Sequence, residues 1–337
     1  MNLSDNDKNL ISILIPVLHP NLTLLEMMLA SIRKNEIQVK ILIGLQSKED
    51  ISTICKKYNA EVIYFEKPSL YLTRIGLLAR CTSEYVWFAD GDDLFIPHAI
   101  DYVCNLLLTY KPDICLVRFR KFTSNNIPEI NDFSNTLEWI DKDRLLLNFY
   151  SGRIPNAIFT KIFKRESFPV KIFPKIDVFM GEDALITNIL FTNCRSQNLK
   201  LDSPLYLYRI SSSQGSSVFK FNHLYDLLKV ANEISKNSVY GAWRYLKSFG
   251  DIIYHNLGEG KIKKPEINQL FSSVDFRKAK DNIFRQIDKK KINKGKDKFI
   301  YLYLSCLFNY KVATCGALSF IGKFLRKYRH APTKNKL

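Results

Sequence analysis

Five short apolar runs in the first half of the sequence constrain its fold more than any other feature. They are Ile11–Val17, Val39–Gly44, Glu61–Phe65, Tyr85–Ala89 and Ile114–Phe119, and each reads as a strand. Helical patterns separate them. Thr23-Leu24-Leu25-Glu26 has the form of a capping box, followed by Met28, Leu29 and Ile32 at helical spacing. Leu70–Ala79 and Pro97–Leu108 read as further helices, with Pro97 in the first turn. Strands that are apolar throughout and alternate with helices imply a mostly parallel, Rossmann-like α/β sheet covered by helices on both faces.

The fourth run ends in Asp90-Gly91-Asp92-Asp93. These carboxylates leave the carboxyl end of a buried strand, the edge at which open α/β sheets bind ligands. Three carboxylates within four residues repel one another in a tight turn, and a divalent cation removes that repulsion. Hard oxygen donors at this spacing suit Mg²⁺ or Mn²⁺, whose remaining positions water and substrate phosphates can fill. Asp and Gly are also common turn residues, so the tetrad alone leaves a solvated acidic turn open.

Six segments in order resemble the family 2 glycosyltransferases, inverting enzymes of the GT-A fold found in bacterial surface-polysaccharide pathways. Ile11–Val17 is similar to the family's opening strand. Thr73-Arg74-Ile75-Gly76-Leu77 stands where the family has an Arg-Asn-x-Gly-Leu helix, and the acidic tetrad matches its metal motif. Lys161-Ile162-Phe163-Lys164-Arg165 resembles the basic segment before its acceptor region, and Gly181-Glu182-Asp183 its acidic pair before a helix. Leu205-Tyr206-Leu207-Tyr208-Arg209, with Ser216 and Ser217 downstream, resembles its closing segment. The resemblance covers Ile11 to Ser217. It implies a nucleotide-diphosphate sugar donor, UDP favoured, and a glycan or lipid-linked acceptor in capsule, lipopolysaccharide or other surface-polysaccharide synthesis.

Two positions depart from the family pattern. Gln46 stands where the family has an Asp that contacts the nucleotide base; an amide both donates and accepts, whereas a carboxylate only accepts. Uracil offers both kinds of partner, so UDP still fits. Ile75 replaces the usual Asn and removes a polar group near the donor. The base is expected against Pro16 and Val17, with Arg74 nearby and Gln46 at its edge.

Glycosyl transfer by single displacement sets clear requirements. The leaving diphosphate develops negative charge, which a metal on Asp92, with Asp90 assisting or binding ribose, would stabilise beside Gly91. Arg209, with Ser216 or Ser217, could clamp the diphosphate, since Arg matches phosphate geometry. The attacking hydroxyl needs a base, and Asp183 is the candidate, with Glu182 on the acceptor. Leu185, Ile186, Ile189 and Leu190 follow at helical spacing, so both acids fall at a helix start, where plain dipole stabilisation is the alternative role.

Other residues carry less. His19 and His98 have no second His or Cys at ligand spacing and read as turn or surface residues. Tyr206 and Tyr208 read as packing residues, and Trp139 as a core anchor or a cleft residue. The seven cysteines are scattered, odd in number and without a Cys-x-x-Cys pair. With no secretory signal ahead of the first strand, they point to reduced thiols in the cytoplasm.

Charge divides the chain. Residues 1–210 hold 25 Lys and Arg against 24 Asp and Glu, and residues 211–337 hold 25 against 9. Two regions are therefore expected: residues 1–217 as the catalytic domain, and residues 218–337 as a basic helical region. In the second, Leu224, Leu227, Leu228 and Ala231 share one helical face. Its charge suits the anionic cytoplasmic face of a membrane, bound peripherally, or a lipid-linked acceptor. Phe299–Gly322 is apolar but interrupted by Lys311, so it reads as a buried helix pair or an interfacial element. Basic stretches without aromatic interleaving argue against nucleic acid. Two other classes stay open: a metal-dependent nucleotidyl- or phosphotransferase, which lacks an evident phosphate loop, and a non-catalytic protein binding membrane or nucleic acid through its tail. The sequence leaves oligomeric state open.

Overall fold

The computed structural model describes residues 9–124, 126–130, 132–134, 136–210, 220–238, 241, 252–253, 256 and 261–289. The chain divides into two compact units, Met1–Val218 and Phe219–Leu337.

The first unit carries a nine-stranded sheet. Its strands are β1 (Ile11–Val17), β2 (Lys40–Leu45), β3 (Ala60–Tyr64), β4 (Tyr85–Phe88), β5 (Leu94–Phe95), β6 (Ile114–Phe122), β7 (Leu137–Ile140), β8 (Lys161–Lys164) and β9 (Asn198–Arg209). They run in the order β3-β2-β1-β4-β8-β6-β9-β5, with β7 also on β9. The helices are α1 (Leu22–Ile32), α2 (Ser52–Lys57), α3 (Leu70–Arg80), α4 (Ala99–Tyr110), α5 (Lys142–Tyr150) and α6 (Glu182–Asn193).

All five apolar runs form strands, and β1 and β4 are buried at every position. The β3-β2-β1-β4 half is parallel throughout. The other half is not. β8 enters between β4 and β6 antiparallel to both, and β5 and β7 run antiparallel to β9. The sheet is therefore mixed, half parallel and half antiparallel by pairing. Lys161–Lys164 had no strand signature because it is four residues long with Lys at each end. Lys161 is nonetheless fully buried, and its ammonium donates to the carbonyls of Pro155 at 2.6 Å and Ala157 at 2.8 Å.

Two helix starts differ from their expected positions. The cap of α1 is Asn21, whose side chain accepts the Leu24 N–H at 3.2 Å, so Thr23 lies inside the helix. Pro97 precedes the start of α4, where His98 takes a left-handed φ of 61°. Trp139 sits on β7 with 51 % of its surface exposed, its ring edge-on to Tyr110, and is not a core anchor. The five described cysteines, Cys55, Cys81, Cys104, Cys115 and Cys194, are buried free thiols.

Helix α3 packs closely on β2. A Cβ on Gly44 would come within 2.4 Å of Thr73 Cγ2 and 3.1 Å of Leu77 Cδ1. Glycine at 44 thus lets α3 press onto the strand and fixes the height of Thr73 and Arg74 above it.

The second unit includes α7 (His223–Ser235), α8 (Lys264–Ser272) and α9 (Val274–Lys289). Leu224, Leu227, Leu228 and Ala231 of α7 are all buried, as the helical spacing predicts. Asn282 of α9 donates to Asn232 of α7 at 2.7 Å. Among the described residues no helix is long and apolar enough to cross a membrane. Phe299–Gly322, Cys306, Cys315, Ser216 and Ser217 lie outside the described residues.

Candidate active site

The strand order turns at β1, which has β2 on one side and β4 on the other. In an open α/β sheet this places a crevice at the carboxyl ends of those strands. Pro16 and Val17 end β1, Gln46 and Ser47 follow β2, and the acidic tetrad follows β4. Gln46 is tied to its neighbour by its N–H, which donates to the Val17 carbonyl at 3.0 Å.

The tetrad forms a tight turn closed by Asp93 N–H on the Asp90 carbonyl at 3.3 Å. Gly91 lets this turn lie on β1, since a Cβ there would stand 3.3 Å from Val17 Cγ2. The three carboxylates go to separate surroundings instead of sharing one. Asp93 is fully buried and accepts the Arg209 N–H at 2.7 Å. Burial, and then the charge of Asp90, push its carboxyl up to about 9. Asp92 is half-buried, and burial raises its pKa too. Asp90 turns to Arg74.

Arg74 is the hub of the site. Its side chain is 3 % exposed, and one guanidinium nitrogen donates to Asp183 Oδ1 at 2.7 Å and Glu182 Oε1 at 3.1 Å. The other terminal nitrogen donates to Asp90 Oδ1 at 3.0 Å. One cation thus joins the turn after β4 to the start of α6. Burial opposes the charge of Arg74, but the three carboxylates outweigh it and raise its pKa. They remain in excess. Burial pushes Asp90 up to about 6, against the pull of Arg74. Burial and then the adjacent Asp183 push Glu182 up to about 7.

Glu182 and Asp183 open α6 as the sequence predicts. The residue before them, Gly181, has φ of 87°, a left-handed conformation that suits glycine. Asp183 Oδ2 accepts the Ile158 N–H at 3.2 Å. That donor is itself anchored, because Phe159 stacks on Tyr206 with ring centroids 4.6 Å apart. Asp183 is therefore gripped from both sides yet keeps 24 % of its side chain exposed. A carboxylate offers about four lone-pair positions, so two bonds leave room for a third partner.

Arg209 lies beneath the turn, 2 % exposed. Its Nε donates to the Asp92 carbonyl at 2.5 Å, one terminal nitrogen donates to Ser124 Oγ at 3.0 Å, and the guanidinium sits 4.6 Å over the Phe122 ring. It braces the turn from the protein side. Tyr206 does the same, and sequence reasoning missed it. Its hydroxyl accepts the Asp90 N–H at 2.9 Å. The only signal for this in the sequence is a phenol within an otherwise apolar strand, which packing explains equally well. Outside the site, His98 pairs with Asp101 at the surface, in keeping with a turn role.

Several polar atoms at this edge are buried without a hydrogen-bond partner: both amide atoms of Gln46, Ser47 Oγ, Thr73 Oγ1 and Arg74 Nε. Each such group costs about 1–3 kcal/mol unless something meets it. Gln46 and Ser47 follow β2, and Thr73 and Arg74 lie on α3. Among the described residues no three His, Cys, Asp or Glu side chains are grouped to hold a metal. The donor set instead fits a cation that brings most of its own ligands, because Mg²⁺ commonly takes one or two carboxylates plus substrate phosphates. Asp92, with no ion-pair partner among the described residues, and Asp90 are the oxygens available for it.

No protein-family model matches the chain, and no curated protein does either. Solved structures do. TarS of S. aureus, residues 1–349, matches with a TM-score of 0.63 and 16 % identity, covering 93 % of this chain and 92 % of that one. Its complex with UDP-GlcNAc matches with a TM-score of 0.62 and 16 % identity over the same shares. Its complex with UDP gives 0.62 and 17 %, again over 93 % and 92 %. The nine-stranded mixed sheet with its flanking helices is thus a GT-A-like glycosyltransferase fold.

Proposed function

We propose that the chain is an inverting family 2 glycosyltransferase. It moves a sugar from a UDP-sugar to a hydroxyl of a glycan or lipid-linked acceptor in surface-polysaccharide synthesis. The observation that carries this reading is Arg74, which ties a candidate base, Asp183, to the acidic turn at the switch point of a GT-A-like sheet. The TarS complexes with UDP-GlcNAc and UDP support the choice of donor.

The nucleotide lies along the ends of β1 and β2, with its base against Pro16 and Val17 and its edge at Gln46. Its diphosphate points to the turn at Gly91. A Mg²⁺ or Mn²⁺ ion on Asp92, with Asp90, would stabilise the charge that develops on the leaving diphosphate. Asp183 accepts the proton of the acceptor hydroxyl as its oxygen bonds to the anomeric carbon. The bond from that carbon to the diphosphate breaks on the opposite face, so configuration inverts and UDP leaves. Arg74 holds Asp183 in place, and Glu182 beside it contacts the acceptor. Arg209 and Tyr206 keep the turn rigid from below.

Release of UDP from UDP-sugars, with Mg²⁺ or Mn²⁺ present, tests the reading. Asp183→Asn should retain UDP binding while turnover drops by at least about 100-fold, the lower end of general-base effects. Undiminished turnover in that variant would remove Asp183 as the base. Absence of any binding of UDP or UDP-sugars by the unaltered protein would remove the function itself.

A further inference from the structure

Gln46 stands at the sheet edge directly after β2. Both ends of its amide, donor and acceptor, are buried without a hydrogen-bond partner. Ser47 Oγ, next in the chain, and Thr73 Oγ1 on α3 are partnerless as well. Only the backbone of Gln46 is held, by the Val17 carbonyl at 3.0 Å. The protein therefore fixes where the residue starts, but not which end of the amide faces a ligand. Both amide atoms are closed off from solvent, so the side chain has to turn outward to meet a base. No hydrogen bond resists that turn.

The bases of nucleotides with one ring differ at N3, the ring nitrogen of their pairing edge. Uracil carries a hydrogen there and donates; cytosine carries a lone pair and accepts. The adjoining exocyclic group inverts with it, from carbonyl to amine. A carboxylate placed at N3 serves only the donor. An amide serves either base, because a half-turn of its plane exchanges its donor and acceptor ends. Discrimination requires a protein group that holds one of the two orientations, and among the described residues no hydrogen bond holds either end of the Gln46 amide.

We propose that Gln46 reads the pyrimidine edge in either sense, so the nucleotide site takes cytidine diphosphate compounds as well as uridine ones. This rests on the nucleotide-sugar reading above. It extends that reading, because a site built on a fixed acceptor would exclude cytosine.

Titration calorimetry of the full chain with UDP and with CDP, in Mg²⁺, tests the inference. The two dissociation constants should lie within about tenfold, the net worth of a single hydrogen bond. Gln46→Glu, of nearly the same shape but accepting only, should shift the CDP-to-UDP ratio by at least about tenfold in favour of UDP. The comparison of UDP with CDP in the unaltered protein decides the question even where that variant folds poorly. Binding of UDP with CDP more than tenfold weaker would overturn this inference alone. So would a Gln46→Glu variant that binds UDP with the ratio unchanged. Failure of the unaltered protein to bind either diphosphate would overturn the donor reading and this inference together.

Discussion

Replacing Arg74 with Met keeps most of the side chain's volume and removes its charge. Three carboxylates then share a largely enclosed space without a counterion; Asp90, Asp183 and Glu182 are only 32 %, 24 % and 14 % exposed. Breaking a buried ion pair from one side costs about 3–5 kcal/mol, and that is the loss expected at pH 7.5. The loss should depend on pH, and its sign follows from Glu182. That carboxyl is raised from 4.5 to about 7 in the folded protein. Between those values the native state holds more protons than the unfolded chain, so stability falls as pH rises through the window. At about 1.4 kcal/mol per tenfold in proton affinity, Glu182 alone accounts for a fall of about 3 kcal/mol even with Arg74 present. Without Arg74 the carboxyls of Glu182 and Asp90 rise further, and the fall becomes steeper. At pH 5 Glu182 and Asp90 are already largely protonated in the native state, so the variant should lose less than half as much there. Urea unfolding followed by the fluorescence of Trp87, which is fully buried, measures both values. Equal losses at pH 5 and pH 7.5 would show that Arg74 acts by packing. A loss below about 1 kcal/mol at pH 7.5 would show that water already compensates the carboxylates.

Asp92→Asn should abolish the metal dependence of UDP binding while changing stability by less than about 0.5 kcal/mol, since it makes no ion pair among the described residues. Metal-dependent affinity that survives the change would relocate the cation. Gly44→Ala should cost about 1–3 kcal/mol in chemical denaturation, because its Cβ meets Thr73 Cγ2 within 2.4 Å and α3 must lift. UDP affinity should fall with it, and a fully stable variant would mean that α3 gives way freely. The full chain should bind vesicles with acidic lipid and weaken as salt rises through about 0.15 M, where charge is screened beyond about 8 Å. Equal binding to neutral vesicles would exclude the electrostatic mechanism.

Three strands of the parallel half, β1, β2 and β4, were legible in the sequence because both of their faces are buried, whereas β3, exposed at Glu61 and Tyr64, was read from its place in the alternation with helices. A strand with no exposed face must be apolar at every position, and such runs stand out. β8 and β5 were not legible. Four residues flanked by Lys, and two residues within a turn, carry no periodicity, and their pairing is decided by partners far along the chain. The site divides in the same way. The tetrad and the Gly181-Glu182-Asp183 segment announce themselves locally, by composition and by a helix start. Arg74 was placed near the donor through its resemblance to a helix motif. Its bonds to Asp183 and Glu182 span more than a hundred residues of chain, and no local pattern encodes them. The buried end of Lys161 and the hydroxyl of Tyr206 escaped notice for a related reason: burial pairs each with a backbone group, and backbone groups leave no trace in a sequence.

The insertion of β8 between β4 and β6 has a consequence for how the protein is made. As the chain emerges from the ribosome, β4 pairs with β1 on one side, while its other edge stays open until residue 164 has appeared. For that interval the nascent protein presents an apolar strand edge of the kind that recruits other chains. Its closure joins segments distant in sequence. The acidic turn hangs from the open strand throughout, and two of its braces, Tyr206 and Arg209, belong to β9, the last strand of the sheet. A chain cut short before β9 would keep the acidic tetrad without the frame that shapes it. On the proposed function, the residues that would hold a cation reach their final arrangement only once the sheet has shut.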